Sequence, residues 1–182
     1  KGAGFRVYPR YGWFGRQFKV SDANREFASV DARGEPSTRD FCPLAILAHP
    51  DDAEMGKFFE RAARLAALPD IDGICVDYET APVWCWCERC LDEFRRETGI
   101  ADLRRADVAP DGPHGESYAD FGRRLNRRLL TKVKEVMLAQ NGALQYHCLA
   151  SAADLPTYWY DGRKGARHTV AELVKFADAI YA

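Results

Sequence analysis

The feature that most constrains this 182-residue chain is the alternation of short apolar strands with amphipathic helices. The pattern predicts strands at 4–9, 74–79, 143–149 and 179–181, and helices at 52–68, 87–98, 116–140 and 169–176. Strands that alternate with helices form parallel β/α units. Glycine-rich phosphate loops are missing from the sequence, which disfavours an open nucleotide-binding sheet. We therefore predict an α/β fold of the (β/α)8 TIM-barrel type, with about four β/α units, roughly half a barrel, in this chain.

Composition and chain ends limit the partners and the domain organisation. The formal net charge is -1, so electrostatics favour neither nucleic acid nor an anionic membrane as a partner. Apolar runs in the sequence all fall short of the roughly 20 residues that span a bilayer. The chain starts at Lys1 and stops at Ala182 inside a predicted strand. We expect residues 1–182 to be a segment of one catalytic barrel domain, and its open sheet edges to favour a homo-oligomer.

Two acids follow the apolar part of the second predicted strand. The alternation of side chains along a strand places Asp77 and Glu79 on one face and Ile74 and Val76 on the other. Two carboxylates so close repel each other, so one keeps its proton to a higher pH. A protonated acid beside a charged one is what glycoside hydrolysis requires. Salt bridges to neighbouring strands are the structural alternative for these acids.

Polar and aromatic side chains near the strands are candidates for substrate binding. Trp159 lies in an aromatic loop after the third strand, and His147 lies on that strand with Gln145 on the same face. Arg6 and Tyr8 share a face of the first strand and either bind hydroxyl groups or neutralise the acids. Sugar sites combine such groups with aromatic faces. A rim of loop aromatics that covers the core, and a buried, hydrogen-bonded His147, are the structural alternatives.

Three of the six cysteines form the motif C-x-C-x-x-C, at Cys85, Cys87 and Cys90. Thiols this close are poor disulfide partners for one another and good ligands for one tetrahedral zinc ion. We expect Cys42 to be the fourth ligand, because the other two cysteines lie within predicted strands. A disulfide from Cys42 to one of the three, or buried thiols without a metal, remain alternatives. Four thiolates would make the zinc structural, with no cofactor for catalysis, and such thiols slightly favour a cytoplasmic location.

The combination of Cys42-Pro43, Glu79 and the C-x-C-x-x-C motif resembles the β-galactosidases of glycoside hydrolase family 42. In that family one early cysteine and a later C-x-C-x-x-C hold a structural zinc. The acid/base glutamate ends barrel strand 4 just before that motif, which makes Glu79 the counterpart here. The resemblance implies that the four strands are barrel strands 3 to 6. The family's nucleophile would then follow Ala182.

This resemblance implies a retaining glycoside hydrolase of the β-galactosidase type that acts on an oligosaccharide or a glycoside. Glu79 is the expected acid/base, and Asp77 is expected to tune its pKa or to hold the sugar. Tyr78 stands where the family has Asn before the acid/base, and we expect it to contact the substrate.

Other glycosidase families share parts of the same segment. Residues 72–79 resemble the chitinase signature D-x-x-D-x-D-x-E, with Cys75 in place of one Asp. There the last Glu is the acid, and the Asp before it orients the N-acetyl group of the substrate. Barrels of the α-fucosidase type use a strand-4 Asp as nucleophile, which would be Asp77. These readings all predict a barrel glycosidase, and a non-catalytic carbohydrate-binding barrel is the alternative from another class.

Overall fold

The computed structural model describes residues 4–12, 19–77, 85–149 and 177–181. The helices are α1 (Pro43–Ala48), α2 (Gly56–Ala66), α3 (Glu88–Thr98) and α4 (Gly115–Gln140). The strands are β1 (Arg10–Gly12), β2 (Ala28–Val30), β3 (Pro36–Phe41), β4 (Gly73–Asp77), β5 (Gln145–Leu149) and β6 (Ala179–Tyr181). Short 3-10 helices span Arg25–Phe27 and Arg105–Val108.

The chain divides into two compact units. The sheet unit comprises Lys1–Gly15, Asp51–Ala81 and Leu130–Ala182. The cysteine unit comprises Arg16–Pro50 and Pro82–Leu129. Among the described helices, none combines the length and the apolar composition that a membrane crossing requires.

The sheet unit contains a four-stranded sheet in the order β1-β4-β5-β6, within the described residues. All three strand pairs are parallel, as the alternation of strands and helices predicted. In the register, Cys75 of β4 lies opposite Arg10 of β1 and His147 of β5, and His147 lies opposite Ala179 of β6. The carboxyl ends of the four strands therefore meet at one edge, which is the edge that carries catalytic residues in β/α barrels.

The two faces of this sheet differ in polarity. Four residues of one face are almost completely buried: Tyr11, Ile74, Val76 and Tyr146. Helix α2 packs against β4 on this apolar face, and the Tyr11 hydroxyl donates to the Phe58 carbonyl at 2.7 Å. The prediction that Ile74 and Val76 share the packed face is confirmed. The opposite face, here called the polar face, carries Gly73, Cys75, Gln145 and His147.

Several element boundaries depart from the sequence prediction. The strand predicted at 4–9 lies instead at Arg10–Gly12, although Val7 and Pro9 accept backbone hydrogen bonds from β4 and the residue before it. Pro9 has no amide hydrogen to donate, which disfavours a regular ladder there. Helix α2 begins at Gly56 rather than near residue 52, because the Asp52 carboxylate accepts two backbone amides in the preceding turn. Helix α1, directly after Cys42, was not predicted.

The cysteine unit contains a hairpin with Gly34 in its turn. Strands β2 and β3 are antiparallel, and the Asp31 carboxylate accepts the amides of Arg33 and Glu35 across the turn. Gly34 has a φ of 96°, a conformation that residues with a Cβ rarely adopt.

Helices α3 and α4 lie where the sequence predicted them. Helix α3 ends at Gly99, which has a φ of 74° and donates its amide to the Arg95 carbonyl. This left-handed glycine is the usual stop of a helix. The predicted loop at 151–168, the predicted helix at 169–176 and the site residues Tyr78, Glu79 and Trp159 lie outside the described residues.

Candidate functional site

Four thiols converge in the cysteine unit. The sulfur atoms of Cys42, Cys85, Cys87 and Cys90 all lie within 4.8 Å of one another. The Sγ atom of Cys42 is 3.4 Å from that of Cys90 and 3.6 Å from that of Cys87. The structure thus brings together the four cysteines that were predicted to form one site.

The distances between these sulfur atoms decide between a disulfide and a metal site. A disulfide requires sulfur atoms about 2.05 Å apart, well below 3.4 Å. A tetrahedral metal with metal–sulfur bonds of about 2.3 Å holds its ligands about 3.8 Å apart, close to the separations seen here. Four cysteine ligands therefore fit one tetrahedral metal ion, and they leave no coordination position for a substrate.

Local structure places the ligands at the starts of two helices. Cys42 is the N-cap of α1, directly after β3, and Cys87 is the N-cap of α3. Cys90 lies in the first turn of α3, and its amide donates to the Cys87 carbonyl at 3.0 Å. The N-terminus of a helix favours negative charge, and a metal bound by four thiolates carries a net negative charge.

Hydrogen bonds hold the segment that carries Cys85. The Val30 amide donates to the Cys85 sulfur at 3.4 Å, and the Tyr118 hydroxyl donates to the Cys85 carbonyl at 2.6 Å. The next residue, Trp86, donates its amide to the Val30 carbonyl and its indole N–H to the Val108 carbonyl. Residues of β2, of the 3-10 helix Arg105–Val108 and of α4 thus hold the backbone at Cys85 and Trp86 and the side chains of both residues.

The four thiols perturb one another electrostatically. Hydrogen bonding with Cys42 raises the pKa of Cys85 and of Cys90, and the same kind of contact lowers the pKa of Cys87. Burial raises the pKa of the adjacent Tyr118 hydroxyl. Several thiolates cannot be buried together without compensation. A metal cation supplies that compensation when it replaces the thiol protons.

Of the two candidate acids, Asp77 is among the described residues, and it lies in the sheet unit. Asp77 is the last residue of β4, an interior strand of the sheet, and its register partners are Gly12 and Leu149. Its backbone therefore lies at the carboxyl edge of the sheet.

Below this edge, the polar face holds a buried histidine. His147 is 3% exposed, and its ring stacks on the Tyr8 ring with centroids 4.1 Å apart. The Tyr8 hydroxyl donates to Gln145 Oε1 at 2.6 Å. Burial lowers the pKa of His147, the negative charge of Asp178 opposes this shift, and the positive charge of the exposed Arg6 adds to it. The prediction that Gln145 and His147 share one face is confirmed.

Sequence reasoning missed the packing that supports this histidine. A Cβ at Gly73 would lie 2.3 Å from the Gln145 carbonyl oxygen and 2.8 Å from the Tyr8 ring, so only glycine fits. The contacts of Val30 and Tyr118 with the cysteines were also missed, because nothing in their local sequence marks them.

Comparisons with known proteins identify the fold. The glycoside hydrolase domain of PgaB (BpsB) from Bordetella bronchiseptica is similar with a TM-score of 0.66 at 14% identity, over 98% of this chain and 50% of that chain. Alpha-L-fucosidase isoenzyme 2 from Paenibacillus thiaminolyticus is similar with a TM-score of 0.54 at 16% identity, over 85% of this chain and 22% of that chain. The chain thus spans half the length or less of these structures. No protein-family model matches the chain, and no curated protein matches it. The chain therefore has a fold found in glycoside hydrolase domains.

Proposed function

We propose that this chain is part of a (β/α)8-barrel glycoside hydrolase whose chemistry is carried by Asp77 and Glu79. The observation that carries the proposal is the place of Asp77 at the carboxyl end of an interior parallel strand. Catalytic residues of barrel enzymes come from this end of the strands. The likeness to two glycoside hydrolase structures supports the barrel and the reaction class.

In this mechanism Glu79 is the general acid that protonates the leaving oxygen, and afterwards the general base that activates water. Asp77 tunes the pKa of Glu79 or holds the sugar. A second carboxylate about 5–5.5 Å from the acid completes a retaining pair and attacks the anomeric carbon. The catalytic step requires no cofactor.

Substrate contacts in this proposal come from the polar face and from the residues around the acids. His147 and Arg6 hydrogen-bond sugar hydroxyls, and Tyr78 and Trp159 supply aromatic surface. The substrate is an oligosaccharide or another glycoside. Nucleic acid and membrane are not partners in this proposal, and association of several copies through sheet edges is part of it.

The metal in this proposal is zinc, held by Cys42, Cys85, Cys87 and Cys90. Its function is structural, because four thiolates complete the tetrahedron. The four parallel strands would be barrel strands 3 to 6, and a β-galactosidase-type specificity is the finer proposal that the cysteine pattern supports. Thiolate ligands of this kind also favour a reducing compartment.

Asp77 has two alternative roles, and each implies a different substrate. If Asp77 is the nucleophile, as in barrels of the α-fucosidase type, the substrate is a fucoside. If Asp77 orients an N-acetyl group, as in chitinases, the substrate is an N-acetylhexosaminide. The similarity to an alpha-L-fucosidase structure supports the first alternative.

Hydrolysis of 4-nitrophenyl glycosides tests the proposal, with the chain and with any longer polypeptide that contains it. The panel contains a β-galactoside, an α-L-fucoside and an N-acetyl-β-glucosaminide. We expect Glu79→Gln to lower kcat/KM by at least about a hundredfold, the usual contribution of general acid–base catalysis. Glu60→Gln, an exposed carboxylate on α2, is the matched control.

Azide separates the roles of the two acids. If Asp77 is the nucleophile, azide restores turnover to Asp77→Asn with formation of a glycosyl azide. If Glu79 is the acid/base, its variant retains more activity on substrates with good leaving groups. Full activity of both variants would overturn the proposal. Saccharide binding by calorimetry without turnover of any substrate, in a polypeptide that also contains the second carboxylate, would point to the non-catalytic barrel.

A further inference from the structure

One arginine of the cysteine unit contacts the residues on both sides of a cysteine in the thiol cluster. The Nε atom of Arg105 donates to the Trp86 carbonyl at 3.0 Å, and its Nη2 atom donates to the Glu88 carboxylate at 3.2 Å. Trp86 and Glu88 are the two sequence neighbours of Cys87. The Trp86 carbonyl belongs to the planar peptide group that includes the Cys87 nitrogen. Arg105 therefore restrains the backbone directly before Cys87.

The backbone after Cys87 is held by helix α3. The Cys87 carbonyl accepts the amides of Cys90 and Leu91, both at 3.0 Å. These hydrogen bonds belong to the first turn of the helix, for which Cys87 is the N-cap. The helix and Arg105 together thus hold both peptide groups of this cysteine.

Cys87 differs from the other three cysteines of the cluster in its burial. Cys42, Cys85 and Cys90 are at most 4% exposed and belong to the core of the unit. Cys87 is half-buried and packs against this core. Tight packing restrains the three buried side chains, and Cys87 has less of it. Cys87 is therefore the ligand that we expect to leave a bound metal first, and its position depends most on hydrogen bonds to the neighbouring backbone.

The guanidinium of Arg105 has a defined place in the unit. Arg105 begins the 3-10 helix Arg105–Val108, and the 1% exposed Val108 ends it and accepts the Trp86 indole N–H at 3.0 Å. On the other side lies the turn of the hairpin, where a Cβ at Gly34 would be 2.9 Å from the Nη1 atom of Arg105. The guanidinium thus lies between the hairpin turn and the ligand segment, and its donors form a rigid fork.

We propose that Arg105 is a positioning residue that keeps Cys87 on the metal and so slows release of the metal. The role rests on the metal site proposed above and deepens it. The two contacts of Arg105 contribute unequally. The Glu88 side chain is 67% exposed, and exposed ion pairs contribute little. The charge-assisted hydrogen bond to the buried Trp86 is the main contact.

Transfer of zinc to the chelator 4-(2-pyridylazo)resorcinol tests this role, with the whole chain loaded with zinc. We expect Arg105→Gln to make the transfer about tenfold faster, which corresponds to the loss of one charge-assisted hydrogen bond. Arg104→Gln is the matched control. It removes the same charge from the preceding residue, whose side chain contacts Asp107 rather than the ligand segment. Its transfer rate should equal that of the wild type.

Alkylation by iodoacetamide, mapped by mass spectrometry, separates positioning from a general loss of structure. In zinc-loaded Arg105→Gln we expect Cys87 to react first, while Cys42, Cys85 and Cys90 stay protected. Cys75, which lies outside the cluster, supplies the reference rate. Simultaneous reaction of all four clustered cysteines would show that the variant opens the whole unit, and it would overturn the positioning of Cys87.

The remaining outcomes are equally decisive. Equal transfer rates in Arg105→Gln and Arg104→Gln would overturn the role. If Arg105→Gln does not fold, Arg105→Lys replaces it, because lysine keeps the charge and loses the fork. We expect a rate about threefold above that of the wild type, and the wild-type rate would overturn the role. A wild-type chain that binds no zinc refutes the metal site together with this role, whereas bound zinc with unchanged transfer rates refutes the role alone.

Discussion

The sheet unit and the cysteine unit are stabilised by different interactions. In the sheet unit, parallel strands pair through their backbones, and apolar side chains such as Ile74 and Val76 fill the face under α2. The only sheet among the described residues of the cysteine unit is the two-stranded hairpin. The core of this unit contains several aromatic side chains and three of the buried cysteines. The aromatic residues and cysteines of this core include Trp86, Phe94, Tyr118, Phe121, Cys42, Cys85 and Cys90.

This difference shows how a small region with little sheet can still have a defined core. Backbone pairing and apolar burial stabilise the sheet unit without any ligand. In the cysteine unit, three of the four thiols belong to the buried core, and the fourth packs against it. A metal turns these thiols into a cross-link between β3, α3 and the segment before α3, so we expect the folding of this unit to depend on metal binding.

Loss of the metal ligands should have the largest effect. In Cys90→Ser a hydroxyl replaces a buried thiolate ligand. Structural zinc contributes about 10–16 kcal/mol in zinc-finger peptides, so this variant should lose its metal and unfold the cysteine unit. Elemental analysis measures the metal content, and near-UV circular dichroism reports on the stacked Trp86 and Tyr118 rings.

Cys75→Ser is the matched control for this prediction, because Cys75 lies on β4 outside the thiol cluster. It should retain the metal and the aromatic signal. Equal metal content in Cys90→Ser and Cys75→Ser would show that the four thiols are not a metal site.

A methyl group at Gly73 should have the next largest effect, and it should act on the sheet unit alone. In Gly73→Ala the new Cβ meets the Gln145 carbonyl oxygen at 2.3 Å, so β4 or β5 must move. Such overpacking costs about 1–3 kcal/mol. Gly12→Ala lies on β1 of the same sheet, and its new Cβ meets no atom of the described residues within 4 Å, so it should change the free energy of unfolding by less than about 0.5 kcal/mol. Denaturant titration compares the two variants, and equal stabilities would contradict the packing described here.

Tyr118→Phe should have a smaller effect than Gly73→Ala. It should act on the candidate metal site rather than on the sheet. This change removes the hydrogen bond from the hydroxyl to the Cys85 carbonyl and should cost about 1 kcal/mol. Metal transfer to a chromogenic chelator should become faster, because the ligand segment is held less firmly. Tyr11→Phe should lower stability to a similar extent without changing the transfer rate. The same rate in both variants would show that the hydrogen bond from Tyr118 does not support the metal site.

The smallest of the expected effects is that of mild acid on the stability of the sheet unit. Burial lowers the pKa of His147 in the folded state, so the unfolded chain takes up a proton first as the pH falls. The stability contributed by the neutral ring is complete above about pH 6.5 and is lost as the pH falls through the lowered folded pKa. Amide exchange of β4 and β5 measures this loss separately from acid release of the metal. His147→Gln should flatten the pH dependence, and an unchanged slope would contradict the assignment to His147.

Local sequence patterns predicted much of the fold. Helices α3 and α4 were predicted within one residue at their starts, because the spacing of their apolar residues is a local pattern. Helix α1 was missed because its six residues are too few to show a helical period. The first strand was placed too early because Val7 and Pro9 follow β4 through single hydrogen bonds rather than through a regular ladder.

The sequence by itself determined the three clustered thiols, since C-x-C-x-x-C confines Cys85, Cys87 and Cys90 to a helix start and the residues before it. It also predicted a strand over 74–79 that contains Asp77. Only the tertiary structure brings the Cys42 sulfur within 3.4 Å of the Cys90 sulfur, 48 residues later in the chain. Only the tertiary structure also shows that Tyr8 contacts Gln145 and His147 across β4. Such contacts depend on the path of the whole chain, because a spacing rule describes only residues that share one element.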